Sequence, residues 1–303
     1  MLMVFVVIIL AIAGAIFGSF AGAQVWRLRA HQLADDKRDG DEIDEVEYKR
    51  LRPLITKISS DRSRCLSCGQ TLRWYDLVPI ISWMSTNGKC RYCKKSIGSF
   101  EILMELSFAL FFILSYFAFL PQLSTIFGMA TLAVWLLAGV IMGVLFAYDA
   151  KWYLLPEKMN ILLALIATAF VVLVFAQAGF SLDSLFSLAG SLMIMSGIYL
   201  LIYIVSKGEW IGFGDVILGV GLGLLLVKWE NAFLALFLAN FLGLIAVAPA
   251  YLRKKVTGKT HIPFGPFLII ATVIVVLYGD GIMRFASFLL EGVANALLYA
   301  VML

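Results

Sequence analysis

The feature that most limits this chain is a succession of apolar stretches too long for a water-soluble core. An α-helix needs about 20 residues to cross a hydrocarbon layer about 30 Å thick. Runs of that order begin at Leu2 and recur near 100–120, 124–148, 158–178, 184–206, 231–252 and 281–302, with shorter ones near 215–227 and 264–279. Of the 303 residues 62% are hydrophobic and only 15% charged, where soluble domains carry about 25%. The expectation is an all-α polytopic membrane protein of about eight to nine transmembrane helices embedded in a lipid bilayer. The stretch from Leu2 to about Val25 exceeds a signal-peptide core of about 7–15 residues and has no basic segment before it, so it reads as a retained anchor.

Lysine and arginine orient these helices, because positive charge collects in cytoplasmic loops. With 27–98 placed in the cytoplasm, alternation puts 149–158, 207–214 and 253–261 on the same side. Those four loops hold 22 of the 24 lysines and arginines, leaving only Lys228 and Arg284 outside them. The chain then divides into a first transmembrane helix (1–26), a cytoplasmic loop (27–98) and a membrane-embedded remainder (99–303).

The cytoplasmic loop has two parts. Residues 31–64 contain Asp35-Asp36-Lys37-Arg38-Asp39-Gly40-Asp41-Glu42 and no sustained apolar period, which predicts a solvated, partly disordered linker. Beyond it stand all 4 cysteines, as Cys65-Leu66-Ser67-Cys68 and Cys90-Arg91-Tyr92-Cys93. Two Cys-x-x-Cys pairs supply four thiolates to a tetrahedral zinc ion, each pair folding as a tight knuckle. In a reducing cytoplasm the competing redox reading is the weaker one. Four protein ligands leave no position for water, so the zinc module (65–93) is assigned a structural role. Trp74, Val78, Ile80, Ile81 and Trp83 are expected to form its small core.

The membrane part carries carboxylates that need explaining, since an ionisable residue there costs roughly 2.5–3.5 kcal/mol and is a functional candidate by default. Asp215 sits in Gly212-Phe213-Gly214-Asp215 at the mouth of an apolar segment, and Asp149 closes another, with Lys151, Leu155 and Pro156 after it. Gly212 and Gly214 remove two side chains beside the carboxylate and let an extended peptide approach closely. Pro156 suits a helix start, and Glu157 beside it suits a first turn. Glu101 and Glu105 lie one helical turn apart, with Glu105 deep enough to line a polar cavity. The alternation places Asp149 and Asp215 at the cytoplasmic face, where they could meet as a dyad, one carboxyl kept protonated and the other activating water. The bland alternative for each is a snorkelling helix-end acid. The 2 histidines, His31 and His261, lie in loops, and no apolar-flanked serine and histidine compete for the role. The basic run Arg253-Lys254-Lys255 through Lys259 reads as a positive-inside anchor.

Taken together, these residues resemble the type IV prepilin peptidases, the prepilin leader peptidase and N-methyltransferase family of Gly-x-Gly-Asp membrane aspartyl proteases. The likeness runs through Gly18-Ser19-Phe20 with Arg27-Leu28, the Cys-x-x-Cys pairs with Pro79 and Ser82 between them, and Glu105. It continues through Asp149 with Leu155-Pro156, Gly212-Phe213-Gly214-Asp215, and Pro263-Phe264-Gly265-Pro266, with 31–64 reading as an insertion. The resemblance implies that Asp149 and Asp215 are catalytic. It implies as partners type IV prepilins or pseudopilins, whose short basic leader is cut after glycine at the cytoplasmic face of the bacterial inner membrane. It implies N-methylation from S-adenosylmethionine as a second activity. No nucleic-acid partner is expected. The chain departs from the family pattern at Gly22, where asparagine is usual, at Glu157, where aspartate commonly follows Leu-Pro, and at Ile217, where a lysine often follows the second aspartate.

Two other classes use the same ingredients: a proton-coupled membrane transporter and an inactive peptidase-like scaffold. A transporter favours midplane sites and internal repeats, whereas both aspartate motifs lie at segment ends and no repeat is evident. The charge pattern makes a direct prediction. A reporter fused after Lys259 is expected in the cytoplasm and one fused after Lys228 outside. The same side for both would break the segment at 231–252.

Overall fold

The computed structural model describes residues 1–55, 62–252 and 263–302. The basic run Arg253-Lys254-Lys255, Lys259 and His261 lies outside the described residues. Among those described, every regular element is helical, and β pairing is limited to two isolated bridges, Arg64 with Thr71 and Lys89 with Ser96. In chain order the helices are α1 (Leu2–Asp39), α2 (Glu45–Leu51), α3 (Ile81–Ser85), α4 (Phe100–Phe119), α5 (Ile126–Trp152) and α6 (Glu157–Ala178). There follow α7 (Leu182–Leu192), which continues through a π-helical turn (Met193–Gly197) into α8 (Ile198–Ser206), then α9 (Phe213–Leu226), α10 (Trp229–Leu252) and α11 (Gly265–Met302).

Among the described residues seven spans are long and apolar enough to cross a membrane, with α7 and α8 forming one of them. The 14 residues of α9 make a shorter helix of about 21 Å. The described residues thus hold eight apolar segments, the lower of the two counts expected, because the stretches at 264–279 and 281–302 are one helix. Gly279 and Gly281 look like a break, but glycine costs a helix only about 1 kcal/mol each, and α11 runs through both.

The chain forms two compact units, Met1–Phe117 with Trp135–Met159, and Ala118–Val134 with Asn160–Leu303. In the first, α1 lies directly on α4. A Cβ at Gly14 would fall 2.5 Å from the Phe108 carbonyl oxygen, and one at Gly18 would fall 2.6 Å from that of Met104. On α5, Gly139 and Gly143 receive the rings of Phe111 and Phe108. Ala21, Val25, Phe112, Val144 and Tyr148 complete this core, and the buried Trp135 indole donates to Ser115 Oγ at 2.9 Å.

Residues 31–55 are not the solvated linker that their charge suggests. α1 continues through them to Asp39 and ends on Gly40 in the left-handed conformation (φ 88°). Asp44 then caps α2, accepting from the N–H groups of Val46 and Glu47. α2 folds back so that Leu51 and Leu54 pack on Ala30 and Leu33, and Glu47 pairs with Arg29 at 2.8 Å. The apolar contacts come from two short stripes, each too brief to stand out against the surrounding charge.

In the second unit, α9 is enclosed by its own glycines. A Cβ at Gly219 would overlap the Met195 carbonyl in the π turn, and one at Gly221 would fall 2.9 Å from Leu163. Hydroxyls fasten the same helix: Ser196 donates to the Val216 carbonyl at 2.9 Å and Ser191 to that of Gly223 at 2.7 Å. α10 and α11 pack along one another beside it.

The glycine contacts are testable with one methyl group. Gly18→Ala is expected to lower thermal stability in detergent by about 1–3 kcal/mol, because two helix backbones must move apart. Gly22→Ala, whose Cβ would meet nothing closer than 3.8 Å, should stay within about 0.5 kcal/mol of wild type.

Candidate aspartyl site and metal centre

Asp149 occupies the last turn of α5 and is only 5% exposed. The helix stops four residues later, where Tyr153 takes a positive φ of 57° and donates its N–H to the Asp149 carbonyl at 2.9 Å. The neighbours of Asp149 tie this end of α5 to α1 and α2. Tyr148 donates to Gln32 Oε1, and the Trp152 indole donates to Glu47 Oε1 at 3.1 Å. Pro156 immediately precedes α6, and Glu157 opens its first turn with an exposed side chain.

Asp215 lies in the second unit, at the third position of α9. Gly212 is the extended residue that caps the helix (φ −74°, ψ 148°), and its carbonyl accepts the Asp215 N–H at 3.1 Å. The Asp215 side chain turns back over Gly212, where a Cβ would stand 3.7 Å from Oδ2. Gly214 contributes its carbonyl, which accepts a hydrogen bond from Asn160 Nδ2 at 3.1 Å. Asn160 is fully buried, and its Oδ1 makes no hydrogen bond among the described residues. Sequence reasoning passed over this residue; its signal was a lone amide at the start of an apolar helix, four positions after Pro156.

Glu105 is buried on α4. Its Oε2 accepts the Ile80 N–H at 2.6 Å, at a residue whose φ of 62° no β-branched side chain adopts freely. The carboxylate thus holds the cysteine module to the helices besides lining a cavity.

The four cysteines converge. The Sγ atoms of Cys65, Cys68, Cys90 and Cys93 lie within 4.8 Å of one another, and Cys65 and Cys93 are 4.0 Å apart. Thiolates about 2.3 Å from a tetrahedral zinc are about 3.8 Å apart, whereas disulfide sulfurs are bonded at about 2.0 Å. The two knuckles are alike: Gly69 N–H reaches the Cys65 carbonyl at 2.8 Å, and Lys94 N–H that of Cys90 at 2.9 Å. Gly69 and Lys94 take matching left-handed angles of 71° and 60°. Burial pushes the Cys65 thiol up to about 12. Burial acts the same way on Cys90, but the N–H groups of Cys93 and Tyr92 outweigh it and bring that thiol down to about 7.

The module's interior differs from expectation. Trp74 and Ile81 point outward, 77% and 66% exposed, and the centre is the polar residue Asp76. It accepts from Arg91 Nε at 2.9 Å, Tyr92 OH at 3.1 Å and the Arg73 N–H at 3.2 Å. Burial favours its neutral form, yet these donors hold its carboxyl below the ordinary range. So small a module buries too little apolar surface to be held by that alone.

A model of the bacterial peptidase A24 N-terminal domain matches residues 12–119. The prepilin leader peptidase/N-methyltransferase of Stutzerimonas stutzeri is 28% identical over 273 residues, covering 89% of this chain and 90% of its own. The type 4 prepilin-like proteins leader peptide-processing enzyme of Escherichia coli is 28% identical over 267 residues, covering 86% and 90%. No solved structure matches. The Pseudomonas aeruginosa prepilin leader peptidase/N-methyltransferase is 30% identical over 277 residues, 89% of this chain and 90% of its own, and on that correspondence the chain belongs to the prepilin leader peptidase/N-methyltransferase family.

Proposed function

We propose that this protein removes the leader peptide of type IV prepilins or pseudopilins at the cytoplasmic face of a bacterial inner membrane, with Asp149 and Asp215 as a water-activating pair. The observation that carries this reading is the family correspondence over nine-tenths of the chain, with both aspartates present in their motifs. One carboxylate takes a proton from water as the hydroxyl attacks the scissile carbonyl. The other carboxylic acid gives its proton to the carbonyl oxygen and, as the intermediate collapses, a proton passes to the leaving amine. Asn160, through the Gly214 carbonyl, holds the backbone beside Asp215. The glycines at 212 and 214 leave room for the extended substrate to reach the carboxylate.

Zinc fits the four thiolates and would be held by Cys65, Cys68, Cys90 and Cys93. It would stabilise the module and take no part in the reaction, since the cysteines fill its coordination shell. N-methylation of the new N-terminus is the second activity we infer, from the names of the relatives. S-adenosylmethionine supplies the methyl group when bound.

Replacing either aspartate by asparagine keeps its size but removes the titrating proton. Asp149→Asn and Asp215→Asn are each expected to lower cleavage of a prepilin-type precursor by about 10²–10⁴-fold or more, with no further loss in the double variant. Glu157→Gln should turn over normally. Normal cleavage by Asp215→Asn, free of contaminating protease, would refute the mechanism.

The metal assignment is checked separately. Elemental analysis should find about one zinc per chain, and Cys65→Ser or Cys93→Ser should lower zinc content and folded yield together. Zinc-free protein with disulfides mapped between these cysteines is the contrary outcome.

A further inference from the structure

A cavity of about 500 Å³ opens in the first unit, lined from α1, α4, the end of α5 and the cysteine module. Trp26, Phe100, Glu101 and Lys151 lie in its wall, and they form a distinct arrangement. The Lys151 ammonium is 4.2 Å from the centre of the Phe100 ring, 4.7 Å from that of Trp26 and 5.9 Å from that of Trp152. Trp26 stands edge-on to both other rings, each 5.7 Å away. Three aromatic rings about one point make a box for a positive charge. The Trp26 indole also donates to Glu101 Oε1 at 3.2 Å, which fixes the carboxylate beside the box. Glu101 Oε2 is buried and has no hydrogen-bond partner among the described residues. A buried carboxylate oxygen left unused is costly unless something arrives to satisfy it.

Lys151 supplies charge to this box from a flexible four-carbon stem, so it can leave without unfolding the helix that carries it. Arg27 and Arg50 line the same cavity, and their positive charge favours an acidic group farther along the same ligand. We propose that Trp26, Phe100, Trp152 and Glu101 form a seat for a compact organic cation carried by a ligand, with Lys151 as the chain's own occupant, displaced on binding. Two sources present that chemistry: the sulfonium of S-adenosylmethionine and the free N-terminal ammonium of a cut pilin peptide. The choice of these probes rests on the proposed function, whereas the seat itself rests on the rings and the carboxylate.

The test uses the full-length protein in nanodiscs and reads binding by calorimetry and tryptophan fluorescence. One arm compares S-adenosylmethionine with its uncharged product S-adenosylhomocysteine. The other compares a peptide of the mature pilin N-terminus with its N-acetylated form. In at least one arm the cation is expected to bind about tenfold tighter than its neutral counterpart. Lys151→Met should tighten the cation by about fivefold and leave the neutral ligand unchanged; a merely structural lysine would give weaker binding or none of this selectivity. Phe100→Leu keeps apolar volume and should erase the preference for the cation, and Phe100→Tyr should restore it. Zinc content and melting temperature verify folding of each variant. Equal binding of charged and neutral forms, weaker cation binding in Lys151→Met, or no binding in either arm overturns the seat. Donor binding that ignores these variants leaves methyl transfer standing and removes the seat. Selectivity that follows them without any methyl transfer does the reverse.

Discussion

Contact between helix backbones at glycine is the interaction on which both units depend. Lipid tails are as apolar as leucine, so membrane helices gain little from hiding apolar surface against one another and must gain it from close packing and polar contacts. Gly14 and Gly18 bring α1 onto the backbone of α4, and Gly219 brings α9 onto the carbonyl of Met195. At the second of these contacts the partner is a π turn, Met193–Gly197. The helix bearing Asp215 is therefore positioned by side-chain atoms that it lacks itself.

Polar side chains finish what the glycines begin, and most of them act on the backbone. Glu105 holds the strained N–H of Ile80, Asn160 holds the carbonyl of Gly214, and Ser191 and Ser196 hold carbonyls of α9. Where water is scarce, a side chain that satisfies a backbone group also fixes where that backbone runs. Asp215 thus stands on a helix whose backbone is fixed by hydrogen bonds outside the carboxylate itself.

The membrane architecture was readable in the sequence because its signal is long and redundant, with each span repeating one message over about 20 residues. The cysteine cluster was readable for the opposite reason: thiolates at a fixed two-residue gap have few other uses. Misreadings came where the signal was short or shared. The stripe of Leu51 and Leu54 that packs α2 back onto α1 is too brief to register beside the acidic and basic residues around it. Trp74 and Ile81 looked like core because they are apolar, yet Asp76 organises the module instead. The apolar stretches at 264–279 and 281–302 read as two segments, although α11 passes through both. The box around Lys151 was invisible, since its rings come from helices far apart in the chain.

α1 has a property that its separate contacts do not convey. Its 38 residues make one rod of about 57 Å, nearly twice the thickness of hydrocarbon. Gly18, Trp26 and Arg29 lie along it in turn, so membrane packing, the aromatic box and the lobe formed with α2 share a single axis. Inserting one residue between Trp26 and Arg29 would lift the lobe by only about 1.5 Å but turn it by about 100°. What the rod sets is therefore angular phase more than reach, and changes in its length are tolerable only in steps that approximate whole turns.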